Sequence, residues 1–175
     1  MDEHLATLGL GGNIGDPAAS MARALVLLDT RADSTVVSVS KLYRTPPWGK
    51  IDQAWFFNAC AAVRTTLSAD DLLDACLSIE RQMKRERLER WGPRTIDIDV
   101  LTYDDRVQRS QTLELPHPRM TERGFVLKPL ADFAPDLTIA GRTVAAWLQD
   151  ADVAGIDIAD PRSDWWQRIA ENPQS

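Results

Sequence analysis

The residues best placed to do chemistry are Asp97 and Asp99, separated by Ile98. On an extended strand, residues two apart point the same way, with Cα atoms about 6.6 Å apart. Two carboxylates on one strand face repel each other unless a cation neutralises them. Their oxygens suit Mg²⁺, which commonly combines one or two carboxylates with substrate phosphates. A D-x-D pair also fits a strand whose outer face is simply wet. Position favours the metal–phosphate reading, because the pair follows directly on a run of cations. Arg81, Lys84, Arg85, Arg87, Arg90 and Arg94 stand against Glu86 and Glu89, a net +4 within a chain of −6, so the remainder carries −10. Arginine grips phosphate and carboxylate oxygens bidentately. The same run also suits a solvated helix end whose charges match the dipole. Taken together, Mg²⁺ and arginine neutralise charge on a transferring phosphoryl group. That chemistry demands positioning and electrostatics more than a covalent nucleophile.

Other groups leave two readings open. The stretch G-L-G-G-N-I-G from Gly9 lacks the Lys and Ser/Thr of a P-loop, and Ile14 stands where a dinucleotide fingerprint needs glycine. It is a turn that brings backbone close to a ligand, or a plain structural turn. Phe56 and Asn58 share one face of a strand. They can stack on and hydrogen-bond a flat heterocycle, or serve as a core ring and a turn amide. Glu80 lies beside the apolar stripe of a helix, where it caps, pairs with an arginine, or reaches into a site. His117, held between two prolines in L-P-H-P-R, binds phosphate or metal, or is structural. His4 is expected in a frayed terminus.

The elements that must position these groups can be read in order. Leu5 to Leu10 is a short strand ending in Gly9, Gly11, Gly12 and Gly15. Asp16-Pro17 starts a helix as cap and first turn. Thr35 to Tyr43, rich in β-branched residues, is a strand broken by Arg44 to Gly49. Trp55 to Val63 is the next, with Phe57, Ala59, Ala61 and Val63 on one face and Phe56, Asn58 and Cys60 on the other. A second helix runs from a Ser68 cap to about Lys84, with Asp70, Asp71 and Asp74 at its start and Arg81, Lys84 and Arg85 at its end. Ile96 to Tyr103 is a strand, with Ile96, Ile98 and Val100 opposite Asp97, Asp99 and Leu101. Helices are predicted over Met120 to Asp132, halted by Pro135, and over Thr143 to Asp150. The tail beyond Asp160 is polar except for Trp165 and Trp166. The order β-α-β-β-α-β fits a ferredoxin-like α+β domain, an antiparallel sheet with helices on one face and extra strand and helix elements. The other sheet face is free for a site.

The 175 residues suit one domain over 1–175. Net acidity argues against general nucleic-acid or anionic-membrane binding. Cys60 and Cys76 are too few for a disulfide framework and sit in apolar stretches, as small buried residues do. The acidic start lacks a signal peptide's basic region, and no apolar run reaches about 18 residues. A reducing cytoplasm and a monomer are the expectations.

The segment RWGPRTIDIDVL, Arg90 to Leu101, resembles the signature of the 6-hydroxymethyl-7,8-dihydropterin pyrophosphokinases of folate biosynthesis. LGGNIGDP, YRTPPWG with DQAWFFNA, ERQMKRERLERWGPR and LPHPRMTERGFVLKPL resemble further motifs of that family. They fall in family order from about Thr7 to Pro135. The resemblance implies a ferredoxin-like enzyme that moves pyrophosphate from ATP to the pterin hydroxymethyl group and releases AMP. It implies two Mg²⁺ on Asp97 and Asp99, with Arg85, Arg94, His117 and Arg123 on phosphates. Arg87 and Trp91 would lie on a closing loop, and Glu80 and Ile98 would contact the nucleotide. Asn58 would hydrogen-bond the pterin, its ring between Phe56 and Phe125, in a pocket lined by Thr45, Pro46, Pro47 and Trp48. Gly12 stands where family members usually have Ser. Phe56 replaces the Tyr of some members. Thr112 and Glu114 stand where some members carry an Arg and a Thr near the nucleotide.

Two other functions compete. A non-catalytic ferredoxin-like module would bind a regulatory ligand or RNA, but RNA binding calls for basic and aromatic residues spread over open strands. A Mg²⁺-dependent phosphodiesterase would use the same carboxylates without a pterin.

Overall fold

The computed structural model describes residues 2–46, 54–89 and 96–171. The elements run β1 (His4–Gly12), α1 (Pro17–Asp29), β2 (Ser34–Val39), β3 (Leu42–Thr45), β4 (Phe56–Thr65), α2 (Ala69–Glu89) and β5 (Asp97–Tyr103). Beyond them come the short strands β6 (Gln108–Arg109) and β7 (Glu114–Leu115) and a 3₁₀ turn, Met120–Glu122. Then follow α3 (Gly124–Leu130), β8 (Thr138–Ile139), β9 (Arg142–Thr143), α4 (Val144–Gln149), β10 (Asp157–Asp160) and α5 (Trp165–Glu171).

The main sheet is antiparallel, in the order β10-β3-β4-β1-β5, with β2 also paired to β4. Its central part, β5-β1-β4-β2, has the ferredoxin-like arrangement expected from the β-α-β-β-α-β order. Alternation along the strands splits the core in two. Leu8, Leu10, Ala59, Ala61, Val63, Ile98 and Val100 pack with Met21, Leu25 and Leu28 of α1 and Leu72, Cys76, Ile79 and Met83 of α2. Cys60 and Leu101 face the other way and pack with Val126, Leu127 and Leu130 of α3 and Val144 of α4. The second face is therefore only partly open. α3 and α4 cover the rest. Both cysteines are buried and unpaired with each other.

Helix starts follow their caps. The Asp16 carboxylate accepts from Ala19 N–H and the Ser68 hydroxyl from Asp71 N–H. Thr143 does the same for α4, accepting from Ala146 N–H. α2 extends a turn further than its cations suggest, to Glu89.

The structure corrects several expectations. His4 is not frayed: it is the first residue of β1, 2.6 Å from Asp104 Oδ2 and stacked on Tyr103. β1 does not end at its glycines but carries Gly9, Gly11 and Gly12 within the strand. Gly15, at φ 69°, makes the turn. The predicted strand over Thr35 to Tyr43 is two strands, because Ser40 and Lys41 are claimed from elsewhere. Cys60 N–H donates to Ser40 Oγ, Lys41 N–H to Asp132 Oδ2 and Trp165 Nε1–H to Ser40 O. The predicted helix over Met120 to Asp132 breaks at Arg123, which is extended (φ −110°, ψ 104°), and α3 stops at Leu130. The tail, left without a reading, is structural. β10 adds an outer strand against β3, and α5 packs on α1 with Trp165 wholly buried.

Candidate active site

The site is laid out by the register of three central strands. Gly11 on β1 lies opposite Asn58 on β4 and Asp97 on β5, and Gly9 lies opposite Cys60 and Asp99. One sheet face thus carries two rows, Asn58–Gly11–Asp97 and Cys60–Gly9–Asp99. The glycines keep the middle strand bare. A Cβ at Gly11 would come within 2.6 Å of Asn58 Oδ1, whereas one at Gly9 would make ordinary contact with Leu101 at 3.6 Å. A 610 Å³ cleft is lined by both rows. Thr45 and Phe56, neighbours across β3 and β4, line it from one strand pair. Glu80 and Lys84, one turn apart on α2, line it too, as do Arg123, Phe125 and Val126 at the start of α3.

Phe56 and Phe125 are each 38% exposed, and both line the cleft. The Arg123 guanidinium lies 5.6 Å from the Phe125 ring centre. A second hollow of 290 Å³ shares Asp99 with the first and is lined by Ile98, Thr112, Glu114 and His117. Asp99 therefore stands where the two meet.

Electrostatics follow from these positions. Glu80 is half-buried, and desolvation raises its carboxyl above the usual range. The hydrogen bond it accepts from Ile98 N–H, at 3.1 Å, works the other way, while the charges of Asp97 and Asp99 add to the rise. The sequence left Glu80 between cap, arginine partner and site group. It anchors the backbone between the two aspartates and also lines the cleft. His117 is lowered, mainly by desolvation and also by Arg123 and Arg119, with Asp99 opposing. Its Nδ1 accepts from Arg119 N–H, which leaves the neutral ring's proton on Nε2.

Of the residues singled out in the sequence, Thr45, Phe56, Asn58, Glu80, Asp97, Asp99, Arg123 and Phe125 share the main cleft. Ile98 and His117 join Asp99 in the second hollow. Arg85 is exposed on α2 and Pro46 half-buried after β3, and neither lines either cavity. Pro47, Trp48, Trp91, Arg94 and the Arg87 side chain lie outside the described residues. Lys84, named in the sequence only as one of the cationic run, lines the cleft. Its spacing of four from Glu80 placed both on one helix face. Sequence reasoning missed the strand role of Gly9 and Gly11, whose spacing of two was the signal.

Comparison with known proteins bears on the family of the chain. Residues 7–135 match the family model described as 7,8-dihydro-6-hydroxymethylpterin-pyrophosphokinase. The chain belongs to that family. The 2-amino-4-hydroxy-6-hydroxymethyldihydropteridine pyrophosphokinase of Methylorubrum extorquens is 51% identical over 152 residues, 87% of this chain and 96% of that one. The Bacillus subtilis protein of the same name is 43% identical over 129 residues, 74% and 77% of the two chains. Among solved structures, a Plasmodium falciparum HPPK-DHPS triple mutant superposes with a TM-score of 0.69 at 17% identity, over 85% of this chain. An HPPK-DHPS in complex with substrates gives 0.67 at 12% identity, over 86%. This chain spans 43% of each of those longer proteins. Those two likenesses speak to the fold. The activity of the chain is the family's pyrophosphokinase step of folate biosynthesis. Against the pyrophosphokinase family, a regulatory module or a pterin-independent phosphodiesterase no longer competes.

Proposed function

We propose that the cleft is where ATP and 6-hydroxymethyl-7,8-dihydropterin meet, and that the reaction there depends on Mg²⁺. The observation that carries this reading is the row of Asn58, Gly11 and Asp97 across three adjacent strands. It sets a hydrogen-bonding amide and a carboxylate on either side of a bare backbone. A flat ring can approach that backbone closely, and the exposed Phe56 and Phe125 supply faces for stacking. Asn58 then orients the ring, because its amide offers both a donor and an acceptor.

Asp97 and Asp99 fit a hard divalent cation. Both project into the open cleft, and a pair of carboxylates leaves the remaining positions to phosphate and water. Bound there, Mg²⁺ would neutralise phosphate charge and make the substrate hydroxyl more acidic. The chain's own residues do the rest. Asn58 and the two rings hold the pterin so that its hydroxymethyl oxygen is aimed at the β-phosphorus of ATP. The hydroxyl gives up its proton to solvent as its oxygen attacks in line, the bond from the β-phosphorus to the AMP oxygen breaks, and the pyrophosphoryl group moves as a unit. Arg123, Lys84 and, by family resemblance, Arg85 and Arg94 offset the charge on the moving group and the departing AMP. His117 donates from Nε2 to a phosphate oxygen. Glu80 holds the Ile98 peptide, and with it the spacing of Asp97 and Asp99. Residues 1–175 act as one domain in this reading, since the tail's Trp165 is buried in the common core.

The test is an omission series that follows AMP. Mg²⁺, ATP and dihydropterin together should give AMP, and leaving out any one should abolish it. AMP released without dihydropterin would overturn the pterin reading. Undiminished release in chelator would overturn the metal reading. The Phe56→Ala variant should weaken dihydropterin binding and leave ATP binding nearly intact.

A further inference from the structure

The family model ends at residue 135, yet the chain beyond it touches the site from behind. Gly124, buried at the first position of α3, lies between Arg123 and Phe125. A Cβ there would land on the Asp152 carbonyl oxygen, 3.1 Å from the Asp152 carbonyl carbon and 3.2 Å from Val153 Cγ1. The backbone of Asp152 therefore lies flat against the α3 start, and only glycine lets it do so. One turn further, the Lys128 ammonium donates to Ile156 O at 3.3 Å. The chain then enters β10 and pairs with β3, Asp157 opposite Arg44 and Ile158 opposite Tyr43. Thr45, a cleft residue, is the next along β3. The far end is fixed by Trp165, whose indole N–H reaches Ser40 O at 2.9 Å.

We propose that residues 152–160 form a positioning strap for the dihydropterin half of the cleft. The strap joins the two elements that carry Phe125 and Thr45, and it sets the distance between them. Phe125 is 38% exposed, with the Arg123 guanidinium 5.6 Å from its ring centre. Its place depends on the backbone beneath it, and that backbone rests on Asp152. Gly124 and Lys128 line neither cavity. They act through Phe125 and not by touching substrate. This inference rests on the assignment of the Phe56–Phe125 end to the pterin.

The test uses the full chain and two variants, Gly124→Ala and Lys128→Met. Gly124→Ala pushes α3 off the strap. Lys128→Met keeps the stem and removes the hydrogen bond to Ile156 O together with the charge 5.9 Å from the Tyr43 ring centre. A ring misplaced by about 1 Å costs on the order of ten- to a hundredfold in productive binding. Gly124→Ala should therefore raise the KM for dihydropterin about tenfold, and Lys128→Met should raise it several-fold. The dissociation constant for ATP should stay within twofold in both. Lys128→Arg, which can still reach the carbonyl, should restore most of the loss. If Gly124→Ala does not fold, the lysine pair decides the matter alone. Equal weakening of both substrates, or unchanged KM in folded variants of an active enzyme, overturns the strap. A wild type that does not turn over dihydropterin overturns the assignment of the cleft and this proposal with it.

Discussion

Replacing Gly11 by Ala should cost dihydropterin affinity without costing stability. The added Cβ would stand 2.6 Å from Asn58 Oδ1 and 3.4 Å from Phe57 O. The first separation is below van der Waals contact, so the Asn58 amide must swing away. The strand backbone need not, since Gly11 is not among the residues with positive φ. A displaced amide forfeits up to two hydrogen bonds to the ring, at about 1 kcal/mol each. A loss of about 2 kcal/mol is roughly thirtyfold in affinity. On the stability side, Ala restricts the unfolded chain and gains roughly 0.4–1 kcal/mol. Moving Asn58 offsets part of that, so the melting temperature should change by only a few degrees. Fluorescence titration reads dihydropterin binding, and calorimetry with ATP reads the other substrate. The decisive arm is a double-mutant cycle with Asn58→Ala. Asn58→Ala alone should lose the same hydrogen bonds. In that background Gly11→Ala should cost little more, giving a coupling of about 2 kcal/mol. Additive losses would mean that the methyl group acts on the ligand directly or distorts the strand. An equal drop in ATP affinity would mean that the Asn58 row is not the pterin row.

Two further predictions concern the frame and its pH dependence. Trp165 is wholly buried and its indole N–H satisfies Ser40 O. Trp165→Ala should therefore destabilise the fold by about 4 kcal/mol, against about 1 kcal/mol for Trp165→Phe; chemical denaturation of both checks the gap. His117 is neutral in the fold and held below the ordinary imidazole value by burial and by Arg123 and Arg119. The unfolded chain takes up that proton near pH 6.5. The stability it contributes is thus complete above about pH 6.5 and is lost as pH falls through the lower folded value. His117→Asn should flatten the fall in melting temperature between pH 7.5 and 5.5, and an unchanged slope would contradict the assignment.

Local pattern and tertiary context divide what the sequence could reveal. Asp97, Ile98 and Asp99 were legible because a strand sorts its faces by period two, and the apolar face fills the core with Ile98 and Val100. α2 was legible from its stripe and end charges. The β2–β3 break was not, because Ser40 and Lys41 bond to Cys60, Asp132 and Trp165, all remote in sequence. At the kink at Arg123, the neighbouring Gly124 lies against the Asp152 backbone, which is also remote in sequence. A period of 3.6 continued through that point and said nothing of it. The tail was opaque because Trp165 and Trp166 find their hydrophobic partners across the fold, not within their own segment. Asp97 and Asp99 could be placed on a cleft face from residue type and spacing, whereas the residues alone left two readings open for Asn58. Gly9 and Gly11 were harder to read, because what they bring to the cleft is an absent side chain.

The proposed reaction turns on Asp97 and Asp99 together holding the metal at the point where the two hollows meet. The direct measurement is the rate of dihydropterin-dependent AMP formation, titrated with Mg²⁺, in wild type, Asp97→Ala and Asp99→Ala. Wild type should be inactive without the metal. Each variant should keep its fold, since both side chains face the open cleft, and fall at least about 10²-fold at saturating ATP. A variant that turns over near the wild-type rate, with an unaltered Mg²⁺ requirement, would contradict the account.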